Sequence, residues 1–144
     1  MTQPTGVASV DPGTRQAIEN LVAEHAWLID HGQAGRVAAL FADDGRLLGI
    51  GPDRVGQAAI QAWAAEREAM TERRSRHVQT NLRLVPVSEM ECRGTVVLTL
   101  YRHDGPGKAD PAPLLVAEYD DTYRRGSDGA WRFAERRLSV LFGG

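Results

Sequence analysis

Arg76-His77-Val78-Gln79-Thr80-Asn81-Leu82-Arg83-Leu84-Val85-Pro86-Val87 is the stretch at which the organisation of the chain changes. From Arg76 onward polar and apolar residues follow a period of two, whereas the sequence before it follows a helical period. Read as a strand, the segment puts His77, Gln79 and Asn81 on one face and Val78, Thr80, Leu82 and Leu84 on the other. Toward the C-terminus the same period predicts four long strands, over about 76–87, 92–103, 113–125 and 130–142. Ser127-Asp128-Gly129 marks the turn between the last two, and the Gly- and Pro-rich run from His103 to Pro113 reads as a loop.

Toward the N-terminus the pattern is helical. A first helix is predicted from Thr14 to His31, capped by Asp11 or Thr14, with Pro12 suited to its first turn and Gly32 to a left-handed C-terminal cap. Ile18, Leu21, Val22, His25, Leu28 and Ile29 form its apolar stripe, with Ala23, Ala26, Trp27 and Asp30 on a line beside it. A short helix from Gly35 to Phe41 follows. The turn Ala42-Asp43-Asp44-Gly45 leads into a short strand, Arg46–Ile50, and Gly51–Gly56 is a loop. A further helix from Gln57 to Thr71 carries Ile60, Trp63, Ala64 and Arg67 on one face. Residues 1–13 read as a flexible tail and 14–144 as one domain.

Long strands after helices mean an α+β fold. A strongly bent sheet wrapped on those helices would leave a pocket between them.

The 144 residues, 42% hydrophobic and 25% charged, are an ordinary globular composition. A net charge of −2 gives no basic field for nucleic acid. The arginine clusters Arg73/Arg74/Arg76 and Arg132/Arg136/Arg137 read as solvated faces. The single cysteine, Cys92, cannot form an internal disulfide or a cysteine-based zinc site. The four histidines lack metal-binding spacing, there is no Gly-rich phosphate loop, and no serine sits in a nucleophile elbow. No apolar run is long enough to span a bilayer, and the N-terminus lacks a secretory pattern. The expectations are therefore no metal, no cofactor, no nucleic acid, no membrane and a cytoplasmic location.

Asp30 stands out because it falls in the last turn of a helix, where the macrodipole disfavours negative charge. A carboxylate placed against local preference has a partner or a job. His77 heads the polar row of the first long strand. If that row faces a pocket, an Asp–His pair has a use: the carboxylate fixes the imidazole tautomer and raises its basicity for proton transfer. Arg136 is placed either inward, to hold developing negative charge, or on the surface beside Glu118 or Glu135. Tyr101, Tyr119 and Tyr123 either line a pocket or pack as strand aromatics, and Trp27 and Trp63 are core or pocket wall.

The run Trp27-Leu28-Ile29-Asp30, then Leu40-Phe41-Ala42-Asp43-Asp44-Gly45, Gly56 with Ile60, Arg76-His77 with Thr80-Asn81, Glu118-Tyr119, Asp128-Gly129, Trp131 and Arg132-Phe133 resembles the SnoaL-like group of the nuclear transport factor 2-like superfamily. It is most similar to the scytalone dehydratase and hexachlorocyclohexane dehydrochlorinase branch. The resemblance implies a cone-shaped α+β barrel, a strongly curved mixed or antiparallel sheet wrapped around about three helices and enclosing a pocket. It also implies that Asp30 and His77 pair as a catalytic dyad and that Arg136 assists a departing anion. His25 stands where the dehydrochlorinase has a lysine. The expected function is a cofactor-free lyase or isomerase, dehydratase-like, acting on a small, largely apolar or aromatic molecule. Asp30, His77 and Arg136 would be catalytic; His25, Trp27, Trp63, Asn81, Tyr101 and Tyr119 would contact substrate. The superfamily also hosts noncatalytic binding modules and the small subunit of ring-hydroxylating dioxygenases, which stand as alternatives. A homo-oligomer, dimer or trimer, is expected by analogy.

Overall fold

The computed structural model describes residues 6–144. Helix α1 (Pro12–Asp30) is followed by a 3-10 helix (Ala34–Leu40), strands β1 (Phe41–Leu48) and β2 (Arg54–Val55), helix α2 (Gln57–Ala69), and strands β3 (Arg73–Ser88), β4 (Glu91–Asp104), β5 (Leu115–Arg125) and β6 (Trp131–Gly143). The expected tail falls partly outside the described residues. Of its remainder, Pro12 and Gly13 already belong to α1, and Val10 packs on the core.

Helix α1 starts where its sequence provides a cap. Asp11 accepts from the Thr14 amide at 3.0 Å, satisfying one of the orphan donors of the first turn. Its whole apolar stripe is buried. At the other end Gly32 takes φ +75° and lets the chain turn away.

The six strands form one sheet in the order β2-β1-β6-β5-β4-β3. Strand β1 runs parallel to β6, and every other pairing is antiparallel, so the sheet is mixed. It does not close: β2 and β3 are its two edges. The expected barrel is thus an open α+β cone. The helices lie against the inner face, α1 over β3 and α2 over β1 and the 3-10 helix.

Three details differ from the sequence reading. Phe41 is a strand residue paired with Phe133, and the expected turn Ala42–Gly45 is an irregular part of β1. The strand ends at Leu48, because Gly49 takes φ +85° and lies so close to the Leu138 carbonyl that no Cβ would fit. The loop 51–56 contributes β2 to the edge.

Two bulges matter more, because they decide which side chains point inward. On β3 the register slips between Thr80 and Arg83, with Asn81 at φ 57°. Leu82 and Leu84 therefore join the inner face of His77 and Gln79, and Asn81 is left exposed. On β6 one extra residue lies between the pairs Tyr123–Phe133 and Thr122–Glu135. Phe133 and Arg136, which unbroken alternation would put on opposite faces, are both fully buried.

Candidate active site

The C-terminal turn of α1 meets the beginning of β3 at Asp30. Its Oδ1 lies 2.6 Å from His77 Nδ1 and accepts from the Ser75 hydroxyl at 2.8 Å. Its Oδ2 accepts from the His77 backbone amide at 2.8 Å. These donors explain how a carboxylate survives at the negative end of a helix dipole. Burial pushes the Asp30 carboxyl up, but the hydrogen bond and charge of His77, its amide and the Ser75 hydroxyl outweigh this and hold it below the usual range. The bond at Nδ1 leaves Nε2 as the ring nitrogen available to a substrate. Ser75 in turn accepts from Arg67 Nη2 at 3.0 Å, so α2 also anchors this corner.

A second polar cluster lies beneath the sheet's inner face. Arg136 Nε donates to Asp121 Oδ1 at 3.0 Å, the Tyr123 hydroxyl donates to Asp121 Oδ2 at 2.7 Å, and Arg136 Nη2 donates to Gln79 Oε1 at 2.7 Å. The guanidinium stacks 3.5 Å from the Tyr119 ring centre and 4.6 Å from that of Phe133. Gln79 also donates to the Val22 carbonyl at 3.1 Å, tying the cluster to α1. Burial raises the Asp121 carboxyl above the usual carboxylate range, against the pull of Arg136.

Between the helices and the sheet is a cavity of about 370 Å³. His25, Ser75, His77 and Tyr119 reach it as polar groups, and Ile29, Trp63, Leu98, Leu100, Leu115 and Leu138 make its apolar walls. His25 is 1% exposed, and neither of its ring nitrogens has a partner among the described residues. Burial, then the charges of Arg136 and His77, push its pKa well below the ordinary histidine value, so it is neutral at neutral pH. Burial raises Tyr119, which keeps its phenolic proton.

The structure therefore gathers Asp30, His77, His25, Trp63 and Tyr119 at one site, with Arg136 packed behind Tyr119. It does not bring the other expected contacts to the cavity. Trp27 is 47% exposed and stacks on His31, 4.5 Å between ring centres. It and Asn81 border an outer groove between α1 and β3 that also reaches Asp30 and His77. The bulge turned Asn81 away from the cavity. Tyr101 lies in a surface depression with Arg74, Arg76 and Lys108. The reading of both arginine clusters as solvated is corrected for Arg136, which is sealed, and for Arg73, which borders the cavity. Cys92 is buried and its thiol pushed up to about 11, which removes it as a nucleophile.

Sequence reasoning missed Ser75, Arg67 and Asp121. The first two were readable: Ser75 precedes His77 by two on one strand face, and Arg67 shares the inner face of α2 with Trp63. Asp121 was readable too, since Tyr119, Asp121 and Tyr123 alternate on β5.

The sequence matches the SnoaL-like domain family over residues 13–137. The chain belongs to the SnoaL-like domain family. Among curated relatives of this SnoaL-like chain is the gamma-hexachlorocyclohexane dehydrochlorinase of Sphingobium indicum, 29% identical over 136 residues, covering 90% of this chain and 81% of the relative. Among solved structures, LinA superposes with a TM-score of 0.76 at 26% identity, covering 90% of this chain and 87% of LinA. A scytalone-dehydratase-like protein of Novosphingobium aromaticivorans gives 0.78 at 24% identity, covering 90% and 85%, and shares the fold.

Proposed function

We propose that this SnoaL-like protein is a cofactor-free lyase that removes a small leaving group from an apolar, ring-sized substrate. The observation that carries this reading is the 2.6 Å contact between Asp30 and His77, with His77 on the wall of a mostly apolar cavity. The likeness to a dehydrochlorinase supports elimination as the reaction type.

Asp30 orients His77 through Nδ1, and Nε2 takes a proton from a carbon next to an activating group. The C–H electron pair becomes the new C=C bond, and the β-substituent leaves with its bonding pair. If it is a hydroxyl, the proton now on His77 accompanies it as water, and the imidazole is restored. Arg136, with Nη1 unpartnered among the described residues, polarises the wall on which negative charge develops. Return of the proton to another carbon in place of elimination would make the same site an isomerase. The C-terminal end of β6 exposes Val140, Leu141 and Phe142, and β3 exposes Val78 and Val87; these favour self-association, read by light scattering.

The test uses 3-hydroxy-1-tetralone, a fused-ring β-hydroxy ketone whose dehydration yields fluorescent 1-naphthol. Turnover by the wild type and a loss of about 10²–10⁴-fold in a folded His77→Ala variant is the expected result. A folded His77→Ala protein with near-normal turnover overturns the mechanism.

A further inference from the structure

The cavity's polar groups are unevenly placed. Its interior is neutral and apolar, whereas its rim carries Arg54, Arg67, Arg73 and Arg102 against the single carboxylate of Glu66. These arginines come from four different elements, β2, α2, β3 and β4, which converge on one opening. Among the described residues only Arg73 of these four has a carboxylate partner, Asp104 at 2.8 Å. Arg54 donates to the Ile50 carbonyl at 2.8 Å and to the Pro52 carbonyl, neither of which neutralises its charge. Arg67 spends one donor on Ser75. Arg102 continues the inward row Leu98–Leu100–Arg102 on β4 and finds no acceptor among the described residues.

A guanidinium has five N–H donors in a planar fork that matches a carboxylate in two-point contact. Most of these donors are free at the rim, in a protein whose net charge is −2. The arginines also strain against each other: burial first, then the charges of Arg73 and Arg102, lower Arg67 from its ordinary value, with Asp30 and Asp104 opposing. An incoming anion relieves that repulsion, and a neutral substrate does not.

We propose that the substrate is an amphipathic acid, whose apolar ring system fills the cavity beside His77 and whose carboxylate is held at the rim by Arg67, Arg102 and Arg54. This rests on the reading of the cavity as the substrate site. The rim fixes which end of the molecule stays outside, and so which carbon faces His77.

A matched pair of probes tests it by titration calorimetry: 2-naphthoate and 2-naphthamide share a ring system and differ in charge. The wild type is expected to bind the acid about tenfold more tightly than the amide, and less so at high salt. Arg102 is exposed, so Arg102→Gln should fold normally and lose most of that preference, with affinity for the amide unchanged; Arg54→Gln is a second variant of the same kind. Equal affinity for the two probes, tighter binding of the amide, or no binding of either overturns the proposal. Loss of turnover in His77→Ala alongside equal probe affinities leaves the lyase reading standing and removes this one. A clear preference for the acid with a fully active His77→Ala variant does the reverse.

Discussion

The molecule holds two inward aspartates, each hydrogen-bonded to a basic side chain on a strand, and their surroundings shift them in opposite directions. Asp30 at the α1–β3 corner keeps a side-chain exposure of 5% beside His77 at 12%, whereas Asp121 and Arg136 are both at 0%. Asp30 accepts from three donors and its carboxyl is held low; Asp121 accepts from two and burial drives it up. The comparison separates a pair that can exchange protons with a bound molecule from one that cannot. A proton relay needs a carboxylate whose basic partner reaches a cavity, and only the corner supplies that. Arg136 and Asp121 brace Gln79, Tyr119 and Phe133 behind the cavity wall, so Arg136 acts on a bound molecule through its field and not by proton exchange.

The sharpest way to break the comparison is to remove one carboxylate at a time. Asp121→Ala leaves Arg136 buried without its counter-charge and should cost about 3–5 kcal/mol of stability in urea unfolding. Asp30→Asn should do the reverse, lowering turnover about 100-fold while the unfolding midpoint moves little, because the site keeps its shape. If both variants lose stability equally, the corner is structural and the contrast fails.

How far the sequence carried the argument follows from the same two places. The pairing of Asp30 with His77 came only from the family resemblance, but periodicity singled out Asp30 at the end of α1 and His77 at the head of a strand face, since both sit in regular segments. The α+β class was legible for the same reason. Asn81 and the pairing of Phe133 with Arg136 were not, because each depends on a bulge, and one inserted residue reverses every side chain beyond it. Alternation has no term for such an insertion. The open edges of the sheet were equally hidden: β2 is two residues long and shows no periodicity at all. Arg136 illustrates the gap most clearly, because its burial rests on Asp121, which only tertiary structure brings within 3.0 Å.

The next effect belongs to His25, which faces the cavity from α1 between the two clusters. Burial holds its folded-state pKa well below the ordinary histidine value of 6.5. The unfolded chain therefore binds a proton at lower pH that the folded chain refuses. His25 thus contributes stability above pH 6.5 that is lost progressively as the pH falls below it, about 1.4 kcal/mol at one unit lower. Urea unfolding at pH 7.5 and 5.5 should show this loss in the wild type and a smaller one in His25→Phe. An unchanged slope in the variant would assign the acid sensitivity to another group.

The smallest expected effect is at Ser75, the residue that joins Arg67 to Asp30. Ser75→Ala removes one of the three donors that keep Asp30 ionised, and leaves the His77 contacts in place. The loss should be about 1 kcal/mol of stability, the size of one net hydrogen bond. Asp30, with its carboxyl held lower by that donor, contributes stability above the unfolded value of 3.8 that disappears as the pH falls through its folded value. Without the Ser75 hydroxyl the folded value rises toward 3.8, so Ser75→Ala should lose less stability than the wild type in urea unfolding as the pH is taken down through 3.8. A serine that does not hold the Asp30 carboxylate would lower the unfolding midpoint equally at every pH, and that outcome would detach Ser75 from the corner and leave Asp30 and His77 as an isolated pair.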